Sequence, residues 1–99
     1  MLSISKETNG NNLTIVLSGR LDTTTASELE SELQGSLDGM TALIMDCKEL
    51  EYISSAGLRV LLSAQKTMNK QGSMIVRNAS DEVKEIFKVT GFSDILTIE

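Results

Sequence analysis

The 99-residue sequence has no histidine, no proline and a single cysteine, Cys47. Without imidazole there is no Ser-His-Asp triad, no Cys-His pair and no histidine ligand for a metal. One cysteine permits no intramolecular disulfide, fits a reducing cytoplasm and leaves a structural zinc site without its ligands. Long apolar runs are missing too, and none approaches the roughly 20 residues that span a bilayer. The opening MLSISKETNG has no basic segment ahead of an apolar stretch, so no signal peptide is expected. No glycine pattern amounts to a P-loop or a dinucleotide fingerprint. An enzyme is therefore not expected, nor a metal or a cofactor.

Basic charge is also scarce. Lys and Arg number 9 against 14 Asp and Glu, a formal net charge of −5. No basic stripe is available for DNA, RNA or an anionic membrane, so none of these is an expected direct partner. A protein with a basic surface is. A cytoplasmic monomer is the expectation.

What is present is an ordinary globular composition, 40% apolar and 23% charged, sized for one domain over residues 1–99. LSISKET (Leu2 to Thr8) alternates as a half-buried strand does. NGNN (Asn9 to Asn12) reads as a hairpin loop longer than two residues, and LTIVL follows as the second strand. Ala26, Leu29, Leu33 and Leu37 form one face of a helix from Thr25 to about Leu37, with Thr25 and Glu28 spaced as a capping box. ALIM (Ala42 to Met45) reads as a strand covered on both faces, and Asp46 to Glu51 as a polar link. Leu58, Leu61, Leu62, Gln65 and Met68 line a second helix that Gly72 closes. SMIVRN (Ser73 to Asn78) is a further strand. Ser80 caps a third helix with Val83, Ile86, Phe87 and Thr90 inward, and ILTI (Ile95 to Ile98) closes the sheet. The order is β-β-α-β-α-β-α-β, a single α/β domain. Its sheet is mixed and mostly parallel, entered through an antiparallel N-terminal hairpin.

Between strand and helix stands DCKELEYISSAGLRVLL, Asp46 to Leu62. Ser54 or Ser55 can be the N-cap of the helix, a role worth about 1 kcal/mol and sufficient to keep a serine there. Other features ask for more. The junction follows the apparent central strand, and in open α/β sheets sites gather beyond the carboxyl ends of strands. Ala56 and Gly57 keep the first turn small. A phosphate on either serine would meet the positive end of the helix and its free N–H groups. Opposite the inward leucines lie Ala56, Val60, Ser63 and Thr67, flanked by Arg59 and Lys66, a smooth face suited to docking. Asp46, Glu49 and Glu51 bunch together but lack a ligand set, and read as a solvated loop. Cys47 reads as a small buried or half-buried residue with nothing nearby to lower its pKa.

The chain resembles the bacterial anti-sigma factor antagonists, the stand-alone form of the STAS domain. The resemblance covers essentially all 99 residues. It rests on LSGRLDTTTA after the second strand, the central DCKELEYISSAGLRVLL, and then GSMIVRN and VKEIFKVTGF in order. It implies a STAS-like fold and a partner-switching function. In that family the unmodified antagonist binds an anti-sigma factor that is also a serine kinase, and the sigma factor goes free. Phosphorylation at the start of the second helix releases the partner, and a serine phosphatase resets the cycle. Aligning the motif on Gly57 and Leu58 assigns the acceptor to Ser55, and the family's aspartate after the second strand falls on Asp22. The implied partner surface comprises Asp22, Ser54, Ser55, Ala56, Gly57, Arg59, Val60 and Ser63.

The sequence departs from that pattern twice. Ser54 stands where familiar members have an aspartate directly before the acceptor, and Ala56 where a second serine often follows. Ser54 is thus a minor alternative acceptor. A STAS scaffold that binds a protein or small ligand constitutively, without a phospho-switch, is the alternative function.

Overall fold

The structure, a computed structural model, describes residues 2–99. β1 (Leu2–Asn9) and β2 (Asn12–Leu21) pair antiparallel from Leu2 opposite Gly19 to Asn9 opposite Asn12. The ladder runs through both asparagines, so the turn is Gly10 and Asn11 alone and shorter than the sequence suggests. Gly10 has φ 63°. A positive φ at only the first central residue is the pattern of type II′ turns, whose twist matches that of the flanking strands.

β3 (Ala42–Ile53) and β4 (Ser73–Arg77) extend the sheet in parallel, giving the order β1-β2-β3-β4. The expected polar link from Asp46 to Glu51 is part of β3. The register shifts between Val16 and Ser18, and again between Gly19 and Arg20, each giving β3 one residue more than β2. At such bulges the two-residue alternation breaks and side chains are re-aimed. Buried β3 residues accordingly run Leu43, Met45, Cys47 and then Leu50 and Ile53. Asp46, Glu49 and Glu51 are strand residues, and an Asp46 carboxylate oxygen accepts from the Lys48 N–H and the Asn78 side-chain amide.

Three helices connect and follow these strands: α1 (Ala26–Leu33), α2 (Ser55–Gln71) and α3 (Asp81–Val89). The chain steps from β2 to β3 to β4 in one direction across the sheet, so right-handed crossovers put their helices on the same face. Burial agrees. Leu13, Ile15, Leu17, Leu43, Met45, Met74 and Val76 are buried, while their neighbours Thr14, Val16, Ile44 and Ile75 are only half-buried. The ALIM strand is therefore covered on one face, not both.

α1 stops at Leu33 rather than Leu37, because Gly35 and Gly39, both at φ 78°, turn the chain. Leu37 still reaches the core. The expected Thr25–Glu28 capping box does not form, since Thr25 makes no side-chain cap bond to the helix. At the edge strand Lys6 reaches α1 and pairs with Glu32 at 2.9 Å. A charge turned to the helix-facing side of an edge strand discourages pairing with another chain. α2 ends against backbone: a Cβ on Gly72 would lie 1.8 Å from the Thr41 carbonyl oxygen, so only glycine fits.

The expected closing strand is reduced to one parallel bridge between Ile98 and Val76. Ile95 instead ends a 3-10 turn over Phe92–Asp94 and is 47% exposed.

Candidate functional site

β2 and β3 end side by side, with Leu21 opposite Ile53, and the Ser54 N–H donates to the Leu21 carbonyl at 2.8 Å. This last bond joins the start of α2 to the Asp22 turn that begins α1. The two segments the sequence singled out, 33 positions apart at this bond, thus meet at one end of the sheet.

The two serines have different work. Ser54 is extended, with φ −98° and ψ 175°, and its hydroxyl accepts from the Gly57 N–H at 3.3 Å. Ser54 is therefore the N-cap. Ser55 is the first helical residue, is exposed, and its hydroxyl has no hydrogen-bond partner among the described residues. No acidic residue stands in the first turn of α2. The positive end of a helix of 17 residues is left without a charge of its own to offset it.

Asp22 is half-buried and committed to the chain. One of its carboxylate oxygens accepts from the backbone N–H groups of Thr24 and Thr25, each at 3.0 Å. Its carbonyl accepts from the Ala26 N–H at 2.9 Å, so Asp22 caps the turn that leads into α1. The Thr25 backbone bond, helped by the Thr24 N–H, holds this carboxyl below its ordinary value of 3.8. Buried Thr25 locks the turn: its hydroxyl donates to the Arg20 carbonyl at 2.7 Å and accepts from the Asp22 N–H at 2.9 Å.

Two residues assigned to the docking surface lie beneath it. A Cβ on Gly57 would come within 2.7 Å of Leu21 Cγ and 3.0 Å of Ile53 Cγ1. Gly57 is buried and seats α2 on the strand ends. Val60 is only 6% exposed because α1 packs along that side of α2. The periodicity separates Val60 from the sheet-facing leucines without revealing that a second helix covers it. Ser55, Arg59 and Ser63 remain as an exposed stripe at four-residue spacing, with Ala56 half-buried beside it.

Two features went unnoticed in the sequence. Arg20 lies 4.4 Å from the centre of the Tyr52 ring, a cation–π pair across the β2–β3 ladder next to the site. Only the strand register brings them together. The other is a groove between α1 and α2, described below. Among the described residues, no three Cys, Asp or Glu side chains are grouped as a metal site would need. Cys47 is fully buried, and burial reinforced by the Asp46 charge pushes its thiol up to about 12, far from a reactive thiolate. No helix of the described residues is long and apolar enough to cross a membrane.

Residues 3–99 match the STAS domain family. The chain belongs to that family. This STAS domain is 36% identical over 84 residues to BtrV of Bordetella bronchiseptica, proposed by its name to be an anti-sigma factor antagonist, covering 83% of this chain and 72% of BtrV. It is 29% identical over 96 residues to the anti-sigma-B factor antagonist of Listeria monocytogenes, covering 95% of this chain and 84% of that one. The anti-sigma factor antagonist SpoIIAA superposes on it in its unphosphorylated form with a TM-score of 0.77, at 18% identity over 98% of this chain and 87% of that chain. SpoIIAA of Bacillus in the phosphorylated form gives 0.76, at 18% identity over 98% and 91%. These structures share the fold of this STAS domain, a single α/β domain whose mixed sheet opens with an antiparallel pair.

Proposed function

We propose that this STAS domain is an anti-sigma factor antagonist that acts as a phospho-switch. Its unmodified form binds an anti-sigma factor with serine kinase activity and frees the sigma factor. Phosphorylation of Ser55 ends that binding, and a serine phosphatase restores it. The cycle runs in the cytoplasm, and the domain catalyses nothing itself. The names of its relatives support the antagonist role. The observation that carries the switch is the division of labour at the junction: Ser54 caps α2 while the neighbouring Ser55 hydroxyl stays exposed and unbonded.

In the forward step the Ser55 hydroxyl oxygen bonds to the γ-phosphorus of ATP held by the kinase. The bond to the β-phosphate oxygen breaks, ADP leaves, and the hydroxyl proton passes to the kinase or to water. The reverse step hydrolyses the phosphoester to serine and inorganic phosphate. The added group brings about −1.5 to −2 charges to a surface of a chain already at −5. Within the domain it is tolerated, because the free amides of α2 compensate an anion and Arg59 lies one turn on, the spacing at which side chains pair. At a partner packed on Ser55, Arg59 and Ser63 it is not. Each ~1.4 kcal/mol of uncompensated desolvation or repulsion weakens the complex tenfold.

The test is capture from a bacterial lysate with wild type, Ser55→Ala and enzymatically phosphorylated wild type as baits, with partners identified by mass spectrometry. The first two are expected to retain an anti-sigma factor kinase, and the phosphorylated bait to lose it by about tenfold or more. Equal retention by all three supports the constitutive scaffold instead. Phosphate mapped to Ser54 would reassign the acceptor and leave Ser55 as a bystander.

A further inference from the structure

Between the C-terminal end of α1, the turns that follow it and α2 lies a groove of about 290 Å³. Its floor is apolar, made by buried Leu33, Leu37, Val60 and Ala64. Its rim carries two exposed carboxylates, Glu30 and Asp38, and no lysine or arginine lines it. Neither carboxylate takes part in the ion pairs found among the described residues, which are Lys6–Glu32 and Arg77–Glu99. Ser63 and Thr67 form the α2 wall. Ser63 also belongs to the exposed stripe that begins at Ser55, about 12 Å away along the helix axis at 1.5 Å per residue. The groove is therefore continuous with the surface assigned above to the partner.

We propose that this groove seats an arginine side chain of the docking protein. The inference rests on the antagonist reading for the identity of that protein. Size, polarity and charge all select the occupant. The volume falls at the lower bound of ligand pockets, about 300 Å³, which suits one long side chain better than a nucleotide or cofactor. The rim excludes phosphates and free carboxylates by like charge. An arginine presents an aliphatic stem for Leu33, Val60 and Ala64, and a planar five-donor head that serves two carboxylates at once. Arginine is also among the residues that most often anchor protein interfaces. The groove adds to the partner surface a site that Ser55 does not touch. Phosphorylation then breaks one half of a two-point contact while the arginine anchor stays complementary.

The groove is tested first on the isolated domain, by following backbone amide resonances during titration with N-acetyl-arginine methylamide. N-acetyl-citrulline methylamide, neutral and of nearly the same shape, is the control. Saturable shifts are expected at Leu33, Ser63, Ala64 and Thr67 with arginine, and about fivefold weaker binding with citrulline or with the Glu30→Gln/Asp38→Asn variant, in line with weak, part-exposed charge pairs. Equal responses to both compounds, or no saturable shift in the groove across the soluble range of the probe, would overturn the proposal. The second arm measures affinity for the captured anti-sigma factor. Glu30→Gln/Asp38→Asn is expected to weaken it about tenfold, while Glu82→Gln/Glu85→Gln on α3, an equal change in charge, leaves it within about twofold. Unchanged binding by the groove variant sinks the arginine anchor and leaves the antagonist reading standing. If wild type captures no anti-sigma factor, the antagonist reading fails and the titration alone decides the groove.

Discussion

Two helices of this STAS domain begin in nearly the same way, and the contrast between them isolates what is special about one. α2 and α3 each follow a parallel strand. Each is capped by a serine whose hydroxyl accepts from the N–H three residues on, Gly57 at 3.3 Å for Ser54 and Val83 at 3.2 Å for Ser80. There the likeness stops. α3 carries Asp81 and Glu82 in its first turn, so its positive end is offset by its own side chains. α2 carries Ser55, Ala56 and Gly57 and no acid at all. A serine cap is common to both ends and serves stability in both. The distinguishing mark of α2 is the charge it omits, and an omission is invisible to any search for motifs until an equivalent end stands beside it.

Exchanging the third helical residues should have the largest effect on the comparison. Gly57→Val drives a side chain into Leu21 and Ile53 and is expected to cost about 2–3 kcal/mol, read as a lower urea midpoint. Val83→Gly removes a fully buried side chain and puts glycine into a helix, with a loss of similar size. If Gly57→Val were as stable as wild type, the close seating of α2 on the strand ends would be refuted. Next come the caps. Ser54→Ala and Ser80→Ala should each lose about 1 kcal/mol, and equally, because their geometry is equivalent. Ser55→Ala should lose next to nothing. A large loss there would make Ser55 the structural serine after all.

Charge transplants sharpen the contrast further. Ala56→Glu gives α2 the acid that α3 already has and should raise stability by about 0.3–1 kcal/mol at low salt, while Glu82→Gln lowers it comparably. Both effects should fade as salt is added. The smallest effect belongs to Asp22. Its carboxyl is held below 3.8, so its contribution is complete above that ordinary value and is lost as pH falls through the lowered one. Acid unfolding of Asp22→Asn should lack this component, and identical acid titrations of the two proteins would contradict the Asp22 cap.

Much of this architecture is legible in the residues because local pattern and global fold agree. α1 and α2 announce themselves through leucine spacing and α3 through Val83, Ile86 and Phe87, and Ser80 with Asp81 and Glu82 reads as a cap. β3 fails that reading beyond Met45 for a definite reason. Its two bulges replace the two-residue alternation with three-residue steps at Cys47–Leu50 and Leu50–Ile53, and such steps resemble no regular strand. Val60 fails for another reason. Helical spacing tells which residues oppose the sheet, but not that α1 lies over some of them. The choice between Ser54 and Ser55 needed the backbone dihedrals of Ser54, which no spacing encodes. At the end of the chain, ILTI has the composition of a strand but only one bridge to β4, and the 3-10 turn before it consumes Ile95.

The glycine at each end of α2 has a consequence for how information is held. Gly57 lets the helix lie directly on Leu21 and Ile53, and Gly72 brings its other end against the Thr41 backbone. A rod fixed at both ends has little freedom to slide, tilt or unwind in answer to an event at its tip. On the proposed reading, a phosphate at Ser55 would therefore be stored as covalent chemistry rather than as shape. The free domain would then keep no conformational record, would pass from one state to the other only when a bond is made or cut, and would leave the timing of the signal to the proposed kinase and phosphatase.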